Sequence, residues 1–501
     1  MRTVYRADRI HTLSHPATGE WLLIDGRHVA RVGSGDPPRA DRTVHLPGTT
    51  IIPGFIDAHV HLTSTGMALD SEAVTRARSA ADLLALVRSR AAAEPLVLQG
   101  YDESLWDDPR VPTLAELDDV APGPLIIRRA DGHVALANSA AIRASEIGEV
   151  PGCERGLDGG YTGRITQEAD QRLWAWVTAS LSDHQVQDHQ LRAASLAASR
   201  GVTTVHEMAM PHWYGTRDLD VFLGHRERLP VDTALIVATT DIGQAVDLGL
   251  PAVGGDLPAD GSIGARTAAL SAPYEDVADD GHLYLEDEAL ASFFRSGNLA
   301  GIQVGVHAIG DRAIEQVIRT WEGVYRALDS RERRHFRARR HRIEHFEMPS
   351  AAQIERAAML GLAISAQPTF DAAWGGPGGL YEIGVGPGRA ASMNPFRTYL
   401  DRGLEFGVGS DAPITPLDPM LSLAALASHH DPAQRLTRAE AMDAHTTGSA
   451  RLAHQEEKKG GLGPGMHADF AAYPHDPFIA GDIEALRPVL TVSLGREVFL
   501  A

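Results

Sequence analysis

Two residue types that often carry chemistry are almost missing from this sequence. Among 501 residues, Cys153 is the one cysteine and Lys458 and Lys459 are the only lysines, so the remaining basic residues are arginines. A single cysteine excludes an intrachain disulfide framework and a thiolate metal cluster. Uninterrupted apolar runs of the ~20 residues that span a bilayer are absent. The first residues carry scattered charge and no apolar run of signal-peptide length. Excess positive charge is lacking too: 66 acidic residues against 46 basic ones leave a net charge of −20. That balance excludes nucleic acid or an anionic membrane as the main partner. The remaining profile, 44% apolar and 22% charged, is that of a globular chain with a large core. We expect a cytoplasmic enzyme acting on a small molecule.

Residues 1–52 read as short extended segments with Gly and Pro turns, and 456–501 read the same way. Between them, from 53 to 455, apolar strand-like runs alternate with amphipathic helices rich in Ala, Leu, Arg and Glu, the texture of parallel βα units. Strand candidates are 51–56, 96–99, 125–127, 202–206, 231–238, 302–306, 342–344, 363–366 and 405–408. The expected fold is α/β: a (β/α)₈ barrel over 53–455, beside a small β-sandwich built from both chain ends. The Gly and Pro-rich segment 375–388 is expected to be a loop over an active site.

The sharpest motif is PGFIDAHVHL at 53–62. The two-residue period of a strand puts His59 and His61 on one face, so two imidazoles converge on one point. Further candidate ligands sit where other apolar runs end: His307, His345 and Asp411. All strand C-termini of a parallel barrel meet at one face, so residues distant in sequence can surround one ion.

With HAIGDRA, RIEHFE and GVGSDAPI following in order, the sequence resembles the amidohydrolase superfamily of metal-dependent hydrolases. GHVALANSAAI, GVTTVHEM and DGSIGARTAAL narrow the resemblance to its family 3 branch, which includes N-substituted formamide deformylases. It covers essentially the whole chain. It implies that His59 and His61 bind the more buried metal, that His307 and His345 come from the fifth and sixth strands, and that Asp411 comes from the eighth. In two-metal relatives a carboxylated lysine on the fourth strand bridges the ions. Here Asp256 stands at that position, and neither lysine lies near it in sequence. No carboxylated-lysine bridge is therefore expected. Asp256, or Glu207 at the end of the third strand run, is the alternative bridge. The favoured reading is one tightly held Zn²⁺, with a second ion weak or carboxylate-bridged.

The activity so implied is hydrolysis of a non-peptide C–N bond, an amide or formamide, by metal-activated water. Asp411 is read as general base and then acid, and His345 or His307 as the partner of the developing oxyanion. His133, Arg266, Gln367, Trp106 and Trp374 are candidate substrate contacts. Glu168 fits an exposed helix face, and Cys153 reads as inert. Two other readings stand beside this one. One is a mononuclear deaminase, in which Asp311 or Glu344 replaces the acid that such enzymes place after the fifth-strand histidine. The other is a ligand-binding barrel without catalysis. Barrels of this type often pair, so a homodimer is among the expected states.

Overall fold

The structure is a computed structural model and describes residues 1–71, 74–90, 95–211 and 215–501. The chain opens with β1 (Arg2–His11), β2 (Thr18–Asp25), β3 (His28–Gly33) and β4 (Arg42–Pro53), then enters the barrel at β5 (Phe55–Val60). The apolar run 51–56, expected as one strand, is thus divided between two sheets. Gly54 makes the crossing, because a Cβ there would lie 2.2 Å from Thr203 Cγ2. A side chain at this position would force two packed strands apart.

An excursion follows β5. It contains β6 (Leu96–Tyr101), β7 (Leu125–Arg129), β8 (Val134–Ala137), β9 (Cys153–Arg155) and β10 (Tyr161–Thr166), joined in the order β6-β7-β8-β10-β9. Its separate core includes Leu83, Val87, Leu98, Leu117, Leu125 and Ile127. The runs 96–99 and 125–127, expected among the barrel strands, belong here instead. A short buried apolar run looks alike in either sheet, and the antiparallel pairing of β7 with β8 assigns it.

The barrel resumes with β11 (Val202–Ala209), β12 (Asp232–Val237), β13 (Ala252–Val253), β14 (Gln303–Ala308), β15 (Arg342–His345), β16 (Ala363–Ala366) and β17 (Glu405–Val408). With β5 these make eight parallel strands in the order β17-β16-β15-β14-β13-β12-β11-β5. The ends meet where Asp411 N donates to His59 O at 2.8 Å and His61 N donates to Ala412 O at 3.0 Å. Every residue of β14 is buried, as expected when both faces of a parallel sheet are covered. The two-residue fourth strand escaped the sequence reading because glycines cut its apolar run short. Helices pack outside with strong stop and start signals. Ser350 and Gln353 form a reciprocal cap on the helix Ala351–Leu360, and Gly361 ends it at φ +72°.

β18 (Phe470–Tyr473), β19 (Leu490–Ser493) and β20 (Arg496–Leu500) return to the first module, giving one seven-stranded sheet ordered β20-β19-β18-β4-β1-β2-β3. A bridge between His28 and His467 folds this sheet over a core that includes Tyr5, Ile24, Ile51, Phe470 and Val492. Lys459 fastens it beneath the barrel. Its Nζ lies 2.9 Å from Asp232 Oδ2 and 2.8 Å from Asp469 Oδ2, and donates to Thr204 Oγ1. Asp232 begins β12, so the lysine sits at the end of the barrel opposite the strand C-termini. Among the described residues no helix is long and apolar enough to cross a membrane.

Candidate metal centre

At the C-terminal mouth of the barrel, four buried histidines and two carboxylates converge. Asp256 Oδ1 lies 3.2 Å from His307 Nδ1, 3.3 Å from His345 Nε2 and 3.7 Å from His59 Nε2, while its Oδ2 lies 3.4 Å from His61 Nε2. Asp411 Oδ1 is 3.1 Å from His61 Nε2 and 3.5 Å from His59 Nε2. Three overlapping sets have donor atoms within 4.8 Å of one another: His59, His61 and Asp256; Asp256, His307 and His345; and His59, His345 and Asp411. The sequence reading named all six residues. The topology brings them together from four strand ends, those of β5, β14, β15 and β17, and from the turn after β13.

The outer nitrogens of three rings are already committed. His59 Nδ1 donates to Glu344 Oε2 at 3.0 Å, His61 Nδ1 to the Met208 carbonyl at 3.0 Å, and His307 Nε2 to the Gly261 carbonyl at 3.2 Å. Each bond fixes a tautomer that leaves the inward nitrogen with its lone pair. Inside the cluster, His59 Nε2 and Asp411 Oδ1 are buried and make no hydrogen bond. They approach within ion-pair distance of their neighbours but are aimed at a common point. Donor chemistry, convergence and these unpartnered atoms together fit a divalent cation with nitrogen and oxygen ligands.

The electrostatics agree. Burial alone lowers the His59 pKa, but Asp411 and Asp256 outweigh it and hold the imidazole up at about 10. His307 is held up at about 9 by Asp256 against the same burial. Asp256 is pulled well below the usual carboxylate range by His59, His307 and His345 despite burial. The carboxylates thus demand positive charge, which protons or a divalent cation can supply. His345 and Asp411 also carry left-handed backbones, at φ +69° and +53°. For non-glycine residues this stores strain of order 1–3 kcal/mol and is concentrated at functional sites.

Several residues have supporting roles that the sequence reading did not assign, Glu344 having been named there only as a substitute acid. Glu344 lies behind His59, gripped by Arg342 through Nε at 2.7 Å and Nη2 at 2.9 Å. Although burial opposes it, Arg342 and His59 hold this carboxyl down at about 2. Asp57 Oδ1 accepts from Ser410 N at 2.8 Å, tying β5 to the chain leaving β17. Asp260 accepts backbone bonds from Ala269, Ile309 and Gly310. Asp57 was visible as the first residue of DAHVH, and Asp260 as the aspartate of DGS. Their second-row roles depend on contacts no spacing reveals.

Above the cluster is a small cavity of about 50 Å³, walled on one side by Ile263, Phe370, Trp374, Leu380 and Tyr381. The segment expected as a loop supplies part of this wall as a helix, Leu380–Ala390, kinked at Gly386. His133 also lines the cavity, and burial lowers its pKa to about 4, so the ring is neutral at pH 7. Glu347 turns toward the same space with Oε2 unpartnered, and burial pushes it up to about 7 while the Tyr381 hydroxyl pulls the other way.

Other candidates are placed elsewhere. Arg266 spends its guanidinium on Asp276 and on the Ile263 carbonyl. Trp106, just after the short turn Glu103–Leu105, is 6% exposed and packs near Tyr101 in the core of the excursion. Gln367 stands at the N-cap position of the helix Pro368–Trp374 without a side-chain capping bond and does not line the cavity. Glu207, on the second barrel strand rather than the third, accepts from Leu62 N at 2.9 Å and belongs to none of the donor sets. Glu168 pairs with Arg172 on an exposed face, and Cys153 is buried. Asp311 receives Ser271, and Glu344 is held by Arg342. Neither lines the cavity, so neither is placed to be the acid that the deaminase reading assigned to it.

Comparison with known proteins gives a consistent result. The amidohydrolase family model matches residues 42–499. A putative amidohydrolase of Bacillus subtilis is 29% identical, covering 87% of this chain and 86% of its own. An N-substituted formamide deformylase of Arthrobacter pascens is 25% identical over 94% and 93% of the two chains. Among solved structures, an uncharacterized metal-dependent hydrolase from Pyrococcus horikoshii superposes with TM-score 0.76 at 24% identity, covering 96% of this chain and 99% of that one. Barrel, folded terminal sheet and mouth cluster describe a hydrolase scaffold. The chain belongs to the amidohydrolase family.

Proposed function

We propose that this protein is a divalent-metal-dependent hydrolase that cleaves a non-peptide C–N bond, an amide or formamide, in a small organic substrate. The observation that carries this is the convergence of His59, His61, His307, His345, Asp256 and Asp411 beneath a largely apolar cavity. Likeness to a formamide deformylase supports the bond type. His59 and His61 would hold a cation together with Asp256 or Asp411. Asp256 is common to the His59/His61 and His307/His345 sets, so it would be a ligand available to a cation held by either pair. Zn²⁺ suits this mixture of imidazole and carboxylate. A cation bound there supplies Lewis acidity that makes water nucleophilic near neutral pH and polarises a carbonyl.

The chain's own groups do the rest. Asp411 accepts the proton of the attacking water and returns it to the leaving nitrogen. His345 or His307 stabilises the oxyanion as the carbonyl carbon becomes tetrahedral. His133, neutral and facing the same cavity, orients the amide, while Phe370 and Trp374 exclude water from its apolar substituent.

The test combines metal analysis with a panel of formamides, N-acyl amines and aminopurines. The expected result is a bound ion, turnover of a formamide or N-acyl amine, and loss of both with His59→Ala. Less than about half an ion per chain, unchanged by that substitution, would overturn the metallohydrolase reading. Release of ammonia from an aminopurine alone would overturn the bond assignment.

A further inference from the structure

Behind the cavity wall is a second group of ligand-type side chains that the reaction does not use. Asp371 lies in the helix Pro368–Trp374, and His429 and His430 follow the helix Pro419–Ser428. Asp371 Oδ1 is 2.7 Å from His430 Nδ1 and 3.3 Å from His429 Nε2. One donor atom from each of the three lies within 4.8 Å of the others. Asp371 is 3% exposed and His429 is 1% exposed. The Nε2 atoms of both histidines are buried without a hydrogen-bond partner. Among the described residues no arginine or lysine pairs with Asp371, so its buried charge is met by imidazoles alone.

We propose that Asp371, His429 and His430 form a second, structural divalent-cation site, separate from the mouth of the barrel. Two imidazoles and one carboxylate select Zn²⁺ or a similar borderline ion over Mg²⁺ and Ca²⁺, and water completes a four-coordinate shell. His429 Nδ1 accepts from Asp431 N at 3.0 Å and lies 3.3 Å from the Asp431 carbonyl, so ligation through Nε2 requires the ring proton to move to Nδ1, where that carbonyl can receive it. In that tautomer the carbonyl would orient the ring as outer-shell acceptors do around known metal sites. The ion would join two packed helices at a useful place. Asp371 is flanked in its helix by Phe370 and Trp374, which wall the substrate cavity. Fixing the aspartate therefore fixes the wall.

Full-length protein stripped with chelator and dialysed against micromolar ZnCl₂ provides the test, with zinc counted per chain by mass spectrometry. His430→Ala and Asp371→Asn are each expected to bind one ion fewer than the parent. The double variant His59→Ala/His61→Ala is expected to keep that ion and to melt at higher temperature when Zn²⁺ is added. Adding His430→Ala to the double variant should abolish the rise. Equal zinc content in the parent and His430→Ala would overturn the proposal. So would a double variant whose melting temperature ignores Zn²⁺, and this second reading decides the matter even if His430→Ala fails to fold. Because that background lacks two donors of the barrel mouth, failure of the catalytic reading leaves the result interpretable.

Discussion

His59 donates from Nδ1 to Glu344 Oε2 at 3.0 Å, and the same carboxylate is held on its other side by Arg342. A buried row of arginine, glutamate and histidine thus aims one ring nitrogen into the cluster. Replacing Glu344 by Gln keeps the shape but removes the charge that polarises the ring. Loss of such an outer partner costs about 10–100-fold in metal affinity. A chelator competition titration should show a drop of that size, with circular dichroism unchanged. Affinity equal to the parent's would mean that Glu344 serves only to neutralise Arg342.

Lys459 offers a contrasting case. It lies 2% exposed between Asp232 and Asp469, at the far end of the barrel from the cluster. Removing one partner of a buried ion pair costs about 3–5 kcal/mol. Lys459→Met should lower the melting temperature markedly and leave the metal content per chain unchanged. A loss of metal without a loss of stability would return a lysine to the metal centre.

Acid should weaken the fold partly through His341. This ring stacks on Trp321 with centroids 4.1 Å apart and accepts from Val304 N at 3.0 Å. Burial, with a smaller contribution from Arg339, lowers its pKa from 6.5 to about 3. A depressed histidine is neutral in both states above pH 6.5, where its packing is fully retained. Below that pH the unfolded chain takes up a proton that the folded one refuses, so stability falls as pH drops toward 3. At ~1.4 kcal/mol per pH unit, the loss by pH 5 is about 2 kcal/mol. His341→Gln keeps an acceptor for Val304 without titrating. Denaturant melts at pH 7 and pH 5 should therefore show a smaller decline for the variant, and equal declines would refute the assignment.

Gly66 sits where the helix Leu62–Ala68 crosses the helix Asp183–Ser199. An added Cβ would lie 2.0 Å from the His189 carbonyl oxygen, and a backbone atom cannot rotate aside. Gly66→Ala should destabilise by about 1–3 kcal/mol through overpacking, read as a lower melting temperature. Gly224, where a Cβ meets nothing within 4 Å, supplies the control: Gly224→Ala should be close to neutral.

Much of the barrel was legible because its strands are buried on both faces and end in recognisable ligands. His59, His61, His307, His345 and Asp411 could be placed at one mouth from topology alone. Asp256 was readable by position but not by geometry, since the two-residue strand before it carries almost no pattern. Other misreadings share one cause. Trp106 and Arg266 stand in motif-like surroundings, yet their directions depend on a neighbouring core and on Asp276, which are tertiary facts. The runs 96–99 and 125–127 were correctly read as strands but given to the wrong sheet, because periodicity reports burial and not the identity of the neighbour. Glu344 and Glu347, three residues apart with His345 and Phe346 between them, are sent to different surroundings by the way the chain turns after β15.

The seven-stranded terminal sheet also sets a timetable for folding. β4 pairs with β1 on one edge and with β18 on the other, so strands near residue 50 wait for strands near residue 470 to be made. At about 5–20 residues per second, a nascent chain carries that open edge for on the order of a minute. Slow closure between distant segments is the costly kind. Lys459, arriving just ahead of β18, then pins the completed sheet beneath a barrel whose own strands are by that time fully synthesised.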